Sequence, residues 1–367
     1  MNILKGLNTH FGCTQWWSHA VKPFRFEVVA AGSAGPRGAG PVIDTHAHWF
    51  PDAWVKLVEK DGARHGAGAA IKRNGDDLIF TGGGLTSVFS TAFVDLDLRL
   101  AAMDKQGVDM HALSLTTPMV YFAPADYALA LSQVYNDAAA AAHLKHPKRF
   151  VGMAMLPMHA PDLALKELER AAKLPGMRGL YMGTHVLDKE LDDASFFDVY
   201  AKCEELGWPI YLHPMDPIGM PRLKKYYLMN LCGNPYDSGI AAAHLIFGGV
   251  MDRFPKLHVM LPHAGGTFPA LVGRWDHGTK VRAELKHMQQ LPSAYLRRFS
   301  YDTIGHNDEI MQNLIRMVGA DRVVLGSDYC FDMGHEQPVD IVERWPAVAA
   351  SDRDLILGGN AARMLKI

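Results

Sequence analysis

The sequence predicts an α/β fold, a (β/α)8 barrel of the TIM type with a small insertion after its first strand. Short apolar runs alternate with helical patterns along the chain after Gly40. The runs are continuously apolar, as expected for parallel strands that are covered on both faces. Eight such units in roughly 320 residues suit this barrel. A doubly wound open sheet is the alternative, but no GxGxxG motif follows the first strand.

Several of the eight predicted strands end in polar residues. In chain order the eight strands are PVIDTHAH from Pro41, VDMHALSL from Val108, RFVGMAML from Arg149, MRGLYMG from Met177, PIYLHP from Pro209, KLHVMLPH from Lys256, FSYDTIG from Phe299 and RVVLGSD from Arg322. Helical patterns lie between them, such as DYALALSQVYNDAAAAAHLK from Asp126. Residues 60–98 interrupt this alternation, and they predict an insertion with a hairpin turn at Asn74-Gly75.

The composition is that of a soluble globular enzyme, with 49% hydrophobic and 21% charged residues and a net charge of −2. The near-neutral charge gives no indication of a nucleic-acid partner. No apolar run approaches the roughly 20 residues that cross a bilayer, so we expect no membrane span. The four cysteines are scattered and form no CxxC pair. We therefore expect a reduced, cytoplasmic protein without a disulfide framework.

Residues 1–40 differ from the rest of the chain and are predicted to be an N-terminal extension and linker. They contain one acidic residue, Glu27, and end in a Gly/Ala/Pro-rich stretch. Asn8, Thr9 and His10 interrupt the apolar stretch that a secretory leader requires. A transit peptide and a start codon placed too early are the alternatives. The barrel is then expected over residues 41–367.

Polar side chains recur where predicted strands end. His46 and His48 point to the same side of the first strand, because side chains alternate along a strand. His213, His263 and Asp328 follow strands five, six and eight. The carboxyl ends of barrel strands form the active-site face, and buried polar groups need partners. This set is typical of a catalytic Zn²⁺ or Mn²⁺ centre with an open coordination position.

The chain after Val42 resembles the amidohydrolase superfamily, and within it the aminocarboxymuconate semialdehyde decarboxylase-like branch. Several blocks follow in the order typical of that branch. They are DTHAHWFP, LDLRLAAMDKQGVDMHALS, RFVGMAMLPMHAP, GLYMGTHV, YLHP, FGGVMDRFPKLHVMLPHAGGTFPALVGR and LGSDY.

The resemblance implies a role for each polar residue at the strand ends. His46, His48, His213 and Asp328 would be the metal ligands, and His263 the neighbouring acid/base residue, with Asp328 also taking part in catalysis. A neutral imidazole beside a metal can orient water and transfer a proton, which agrees with that role. Strand four ends in GLYMGTHV, without the lysine that bridges two metals in binuclear members. One metal ion is therefore expected.

Four further residues are predicted to bind the substrate. Arg99 and Arg274 carry guanidinium groups, which suit bidentate binding of a carboxylate. The resemblance implies that both contact the substrate carboxylate, and that Arg274 does so across a dimer interface. Asn230 stands where that branch has a tryptophan, and Phe331 follows the strand-eight motif in SDYCFD. These departures on the substrate side predict an altered substrate beside an unchanged metal side.

The predicted function is metal-dependent, non-oxidative decarboxylation of an unsaturated or aromatic carboxylic acid. Aminocarboxymuconate semialdehyde and hydroxyaryl carboxylates are the expected kinds of substrate. We expect one divalent ion, zinc or alternatively manganese, a small anionic carboxylate substrate and a homodimer. A hydrolase or hydratase acting on a lactone, an amide or a double bond is the alternative. A non-catalytic barrel with a structural metal is a third possibility.

Overall fold

The computed structural model describes residues 40–65, 70–75, 77–82 and 85–367, so all of the predicted N-terminal extension except Gly40 lies outside it. The strands are β1 Ile43–His48, β2 Ala70–Asn74, β3 Asp77–Gly82, β4 Leu85–Ser90, β5 Met110–Ser114, β6 Phe150–Met155, β7 Met177–Gly183, β8 Ile210–His213, β9 Val259–Leu261, β10 Phe299–Asp302 and β11 Val323–Val324. Strands β1 and β5–β11 form one sheet in chain order, and all their pairings are parallel. The barrel prediction is confirmed.

Backbone hydrogen bonds close this sheet between its two edge strands. Thr45 N–H donates to the Leu325 carbonyl at 2.9 Å, and His48 N–H donates to the Tyr329 carbonyl at 2.7 Å. Strand β11 itself is short, and the segment after it continues the pairing with β1. The carboxyl ends of all eight strands therefore meet at one rim of a closed barrel.

Helices cover the outside of the barrel. They are α1 Asp52–Asp61, α2 Leu96–Gln106, α3 Ala125–Lys145, α4 Pro161–Ala171, α5 Phe197–Leu206, α6 Asn234–Phe247, α7 Val250–Arg253, α8 Phe268–Val281, α9 Asp308–Val318, α10 Pro338–Glu343, α11 Ala350–Asp354 and α12 Asn360–Leu365. Their limits follow local chemistry: Asp95 caps α2 by accepting N–H bonds from Asp97 and Leu98, and Gly107 ends it at φ 70°. No helix in the described ranges is both long and apolar enough to cross a bilayer.

The insertion is a three-stranded antiparallel sheet, β2–β3–β4, between α1 and α2. Its first hairpin turns after Asn74, which pairs with Asp77, and Gly75 has φ 61°. The predicted hairpin is therefore confirmed, while the third strand was not predicted. The insertion packs on the barrel through aromatic rings. Phe89 lies 5.0 Å from Phe50 between ring centroids.

Candidate metal centre and active site

Four of the predicted polar residues come together at the carboxyl rim of the barrel. His46 and His48 lie on β1, His213 ends β8, and Asp328 follows β11. Each offers one ligand atom, and these atoms all lie within 4.8 Å of one another. All four residues are buried. The structure thus brings together the four side chains that the sequence predicts as metal ligands.

The three imidazoles are held in the same way, although their planes are nearly perpendicular to one another. In each, Nδ1 faces a protein group: the Asp302 carboxylate at 2.8 Å for His46, the Ser114 hydroxyl at 3.1 Å for His48, and the Pro214 carbonyl at 2.9 Å for His213. Such partners fix the proton on Nδ1 and leave Nε2 as a lone pair. This pattern surrounds histidines that bind metals.

The distances at the centre of the cluster require a positive charge. His46 Nε2 lies 3.1 Å from His48 Nε2, and Asp328 Oδ1 lies 2.9 Å from His48 Nε2. Two lone pairs and a carboxylate oxygen at these distances repel one another unless a cation or a proton lies between them. One carboxylate and three imidazole nitrogens are a donor set that suits a single divalent ion.

Burial sets the protonation of the ligands. It is the largest cause that lowers the pKa of His48 and of His213 well below the ordinary value, and the neighbouring histidines add to it. Burial also raises the pKa of Asp328, while His46 and His263 oppose that change. For His46, burial acts to lower the pKa, but the hydrogen bond to Asp302 and the nearby carboxylates raise it overall. Neutral His48 and His213 are the forms that bind metal ions.

His263 lies beside this group and is not part of it. Its Nε2 is 4.0 Å from Asp328 Oδ2, and its side chain is 13% exposed. Burial lowers its pKa, and the Asp328 charge opposes that shift. Its Nδ1 is buried and has no partner among the described residues. A neutral imidazole in this position can accept or donate a proton next to Asp328.

A cavity of about 860 Å³ adjoins the cluster at Asp328. Its walls include His263 and Asp328, and on other sides Asn230, Ala270 and His306. The predicted substrate residue Asn230 therefore lines the same space as His263 and Asp328. The volume lies within the range of small-molecule sites and is ample for a carboxylated ring.

Arg99, a predicted substrate residue, is buried against the end of β1. It is 0% exposed, and its Nη2 donates to the backbone carbonyl of His48. Its Nη1 lies 3.1 Å from His111 Nδ1, and its guanidinium carbon lies 4.7 Å from the centre of the Tyr329 ring. Arg99 thus lies behind His48 and contacts the end of β1. Arg99 is not among the residues that line the cavity, and its contact with the substrate stays a prediction.

The other two predicted substrate residues lie at the edges of the site. Arg274 is exposed on α8, one helical turn beyond Ala270. It has no hydrogen-bond or ion-pair partner within the described part of the chain. The Phe331 ring lies 5.3 Å from the His48 ring and 5.0 Å from the Phe93 ring, between centroids. Phe331 thereby forms an apolar wall beside the ligands.

Sequence reasoning missed two buried carboxylates. Asp302 ends β10 within the predicted strand FSYDTIG, and no role was predicted for it although it shows the same signal, a polar residue at a strand end. Asp44 lies beneath the ligands and accepts N–H bonds from His46 at 3.0 Å and Ser327 at 3.1 Å. Burial raises the pKa of Asp44 to about 6, against the hydrogen bonds from Ser327.

The chain is similar to known proteins in sequence and in fold. The chain is 33% identical over 330 residues to the 2-amino-3-carboxymuconate-6-semialdehyde decarboxylase of Dictyostelium discoideum, covering 88% of this chain and 91% of that protein. It is 28% identical over 291 residues to the gamma-resorcylate decarboxylase of a Polaromonas species, covering 74% and 87%. The crystal structure of 5-carboxyvanillate decarboxylase from Sphingomonas paucimobilis superimposes with a TM-score of 0.77 at 26% identity, covering 89% and 99%.

The family profile described as Amidohydrolase matches residues 43–367, which is the whole barrel with its insertion. The match begins at the first residue of β1 and includes all four clustered residues. The resemblance seen in the sequence motifs is therefore confirmed, and the chain belongs to the amidohydrolase family.

Proposed function

We propose that this chain is a metal-dependent carboxy-lyase that decarboxylates an unsaturated or aromatic carboxylic acid without oxidation. The observation that carries the proposal is the buried cluster of three histidines and Asp328, of which Asp328 lines one cavity together with His263. Support comes from the relatives, which are named as decarboxylases of an aminocarboxymuconate semialdehyde and of hydroxyaryl acids. The substrate is expected to belong to one of these two classes.

The ligands would hold one divalent ion, zinc or alternatively manganese, at the shared Nε2 and carboxylate positions. When bound, the ion supplies fixed positive charge that attracts the anionic substrate and stabilises charge that develops during the reaction. Asp328 offsets one of its two charges. A substrate with a second anionic group therefore needs another cation.

His263 and Asp328 would manage the proton. Their facing atoms are 4.0 Å apart, close enough for transfer after a small movement or through one water. The proton is delivered to the carbon that carries the carboxylate. The bond to the carboxylate then breaks, its electron pair returns to the unsaturated system, and CO₂ leaves. Protonation before cleavage avoids an unstabilised carbanion.

A homodimer in which Arg274 completes the neighbouring site is part of the proposal. Arg274 extends from the same side of α8 as Ala270, which lines the cavity, because residues four apart share a helix face. Its guanidinium is exposed and has no partner among the described residues, so it is available to another subunit.

The free thiols of Cys203, Cys232 and Cys330 accord with the predicted cytoplasmic location.

The experiment is a turnover assay on the purified full chain loaded with Zn²⁺ or with Mn²⁺. The candidate acids are 2-amino-3-carboxymuconate semialdehyde, gamma-resorcylate and 5-carboxyvanillate, and the measurement is released CO₂ together with the product. His48→Ala is the inactive control. CO₂ release from one acid that depends on His48 supports the proposal. Turnover of a lactone or amide, with no CO₂ from any acid, would establish the hydrolase alternative instead.

A further inference from the structure

Asp302 is the most fully hydrogen-bonded carboxylate near the site, although it is not a metal ligand. It is 0% exposed and lies at the end of β10. Its Oδ2 accepts from His46 Nδ1 at 2.8 Å and from the His263 backbone N–H at 3.0 Å. Its Oδ1 accepts from the backbone N–H groups of Ala264 at 2.8 Å and Ile304 at 3.1 Å. Four donors converge on one ionised group, which uses its full capacity as an acceptor.

On one side, Asp302 determines which nitrogen of His46 can bind a cation. A carboxylate accepts and does not donate, so His46 must keep its proton on Nδ1 and present a lone pair on Nε2. The barrel leaves space for this close contact at Gly326. A Cβ atom there would lie 2.9 Å from the Asp302 Cβ and 3.0 Å from the His46 Cβ. Only glycine allows the segment after β11 to pass so near the pair.

On the other side, Asp302 holds the backbone turn that presents His263. His263 has φ 54° and Ala264 has φ 55°, so two consecutive residues with side chains adopt the left-handed conformation. Such residues are uncommon, and they persist where surrounding contacts fix them. The N–H groups of both residues donate to the two oxygens of Asp302. The same turn directs His263 Nε2 toward Asp328 Oδ2.

We propose that Asp302 is a positioning residue shared by the metal centre and the acid/base residue. One carboxylate fixes the proton on His46 so that Nε2 binds the ion, and it fixes the turn that aims His263 at the cavity. The inference rests on the proposed function for its catalytic half, whereas the hydrogen-bonding half depends only on the described geometry. It explains why a buried charge that touches no substrate is held at this rim.

Asp302→Asn is the informative substitution because it preserves shape. Each of the two oxygens of Asp302 accepts two hydrogen bonds. The amide NH₂ of asparagine must therefore face two N–H donors whichever way the side chain is turned. His46 can relieve one conflict by moving its proton to Nε2, which removes the lone pair that binds the ion. The exposed Asp162 on α4, changed to Asn, is the matched control.

Three measurements on the zinc-loaded full chain test the two halves. Asp302→Asn should weaken zinc retention against a chelator by about 10- to 100-fold, the range for lost partners of ligating histidines. Backbone hydrogen exchange in the peptide containing His263 and Ala264 should accelerate at least about tenfold. At saturating zinc, kcat should fall at least about tenfold with KM unchanged, since positioning affects proton transfer. Asp162→Asn should change none of these.

Two further comparisons separate positioning from general loss of structure. In a His263→Ala background, Asp302→Asn should lower kcat less than about threefold but still weaken zinc retention. The reason is that the effects of substitutions on kcat are not additive for residues that act together. Asp302→Glu keeps the charge and the acceptors, so its zinc retention should recover to within about tenfold of the unaltered chain. If the asparagine variant does not unfold cooperatively, the glutamate variant decides the zinc question.

The inference is overturned by zinc retention within about threefold of the unaltered chain in Asp302→Asn, or by unchanged exchange at His263 and Ala264. An equal fall in kcat in both backgrounds would also overturn it, and so would equal zinc loss in the glutamate and asparagine variants. If no candidate acid is decarboxylated, the proposed function fails, while zinc retention and hydrogen exchange still decide the inference.

Discussion

Replacing His263 with alanine should remove proton transfer while the metal stays bound. The four predicted ligand atoms lie within 4.8 Å of one another without His263, whose Nε2 lies 4.0 Å from Asp328 Oδ2. Its backbone N–H bond to Asp302 does not depend on the side chain and remains in alanine. The substitution therefore deletes one acid/base group and leaves both the ligands and the turn in place.

The expected effect is a fall in kcat of about 10² or more, the range for loss of a general acid or base, with little change in KM. That corresponds to about 2.7 kcal/mol or more on the activation barrier. The cost to folding should be smaller than for an inner core residue, because the side chain is 13% exposed and its Nδ1 is unpartnered within the described residues.

The assay combines metal analysis of the purified variant with steady-state CO₂ release from an acid that the unaltered chain accepts. His287→Ala, at an exposed histidine, is the control for loss of an imidazole. Metal content should stay near one ion per chain while kcat falls. Loss of the metal in His263→Ala would refute the reasoning, because it would make His263 a ligand. An unchanged kcat would remove His263 from the proton pathway.

Three further predictions follow from the same geometry. His48→Ala should lose the bound metal ion yet keep its circular dichroism spectrum, and two ions per chain in active enzyme would contradict a single site. Arg274→Ala should raise KM much more than it lowers metal content. Mixing this variant with His263→Ala under conditions of subunit exchange should restore part of the activity. Verified heterodimers without activity would place Arg274 outside the neighbouring site. Burial, together with nearby arginines, lowers the pKa of His258 to about 4. Since the unfolded chain takes up a proton below pH 6.5 and the folded chain does not, the free energy of unfolding should fall as pH drops, by about 2 kcal/mol at pH 5. Urea unfolding at pH 7.5 and pH 5 should show this loss reduced in His258→Gln, and an equal loss in both chains would contradict it.

The order of elements and the strand ends could be predicted from the sequence because both are local properties. Apolar runs and helical patterns alternate along the chain. Polar residues directly after several of these apolar runs indicate where the strands end. Alternation within β1 is enough to put His46 and His48 on one side. Once a closed parallel barrel is assumed, His213 and Asp328 must reach the same rim. The ligand cluster therefore follows from short-range pattern and topology together.

The tertiary structure alone decided what lies behind and beside that cluster. Arg99 looks like a substrate residue in the sequence, yet packing places its guanidinium under the His48 carbonyl. Asp302 lies far from His46 in the chain. Its bonds to the turn of His263 and to His46 exist only because β10 lies beside β9 on one side and beside β11, which leads to β1, on the other. Hydrogen bonds between side chains on different strands depend on register and on exact backbone path. Neither quantity is encoded in the spacing of residues, so these roles became visible only in three dimensions.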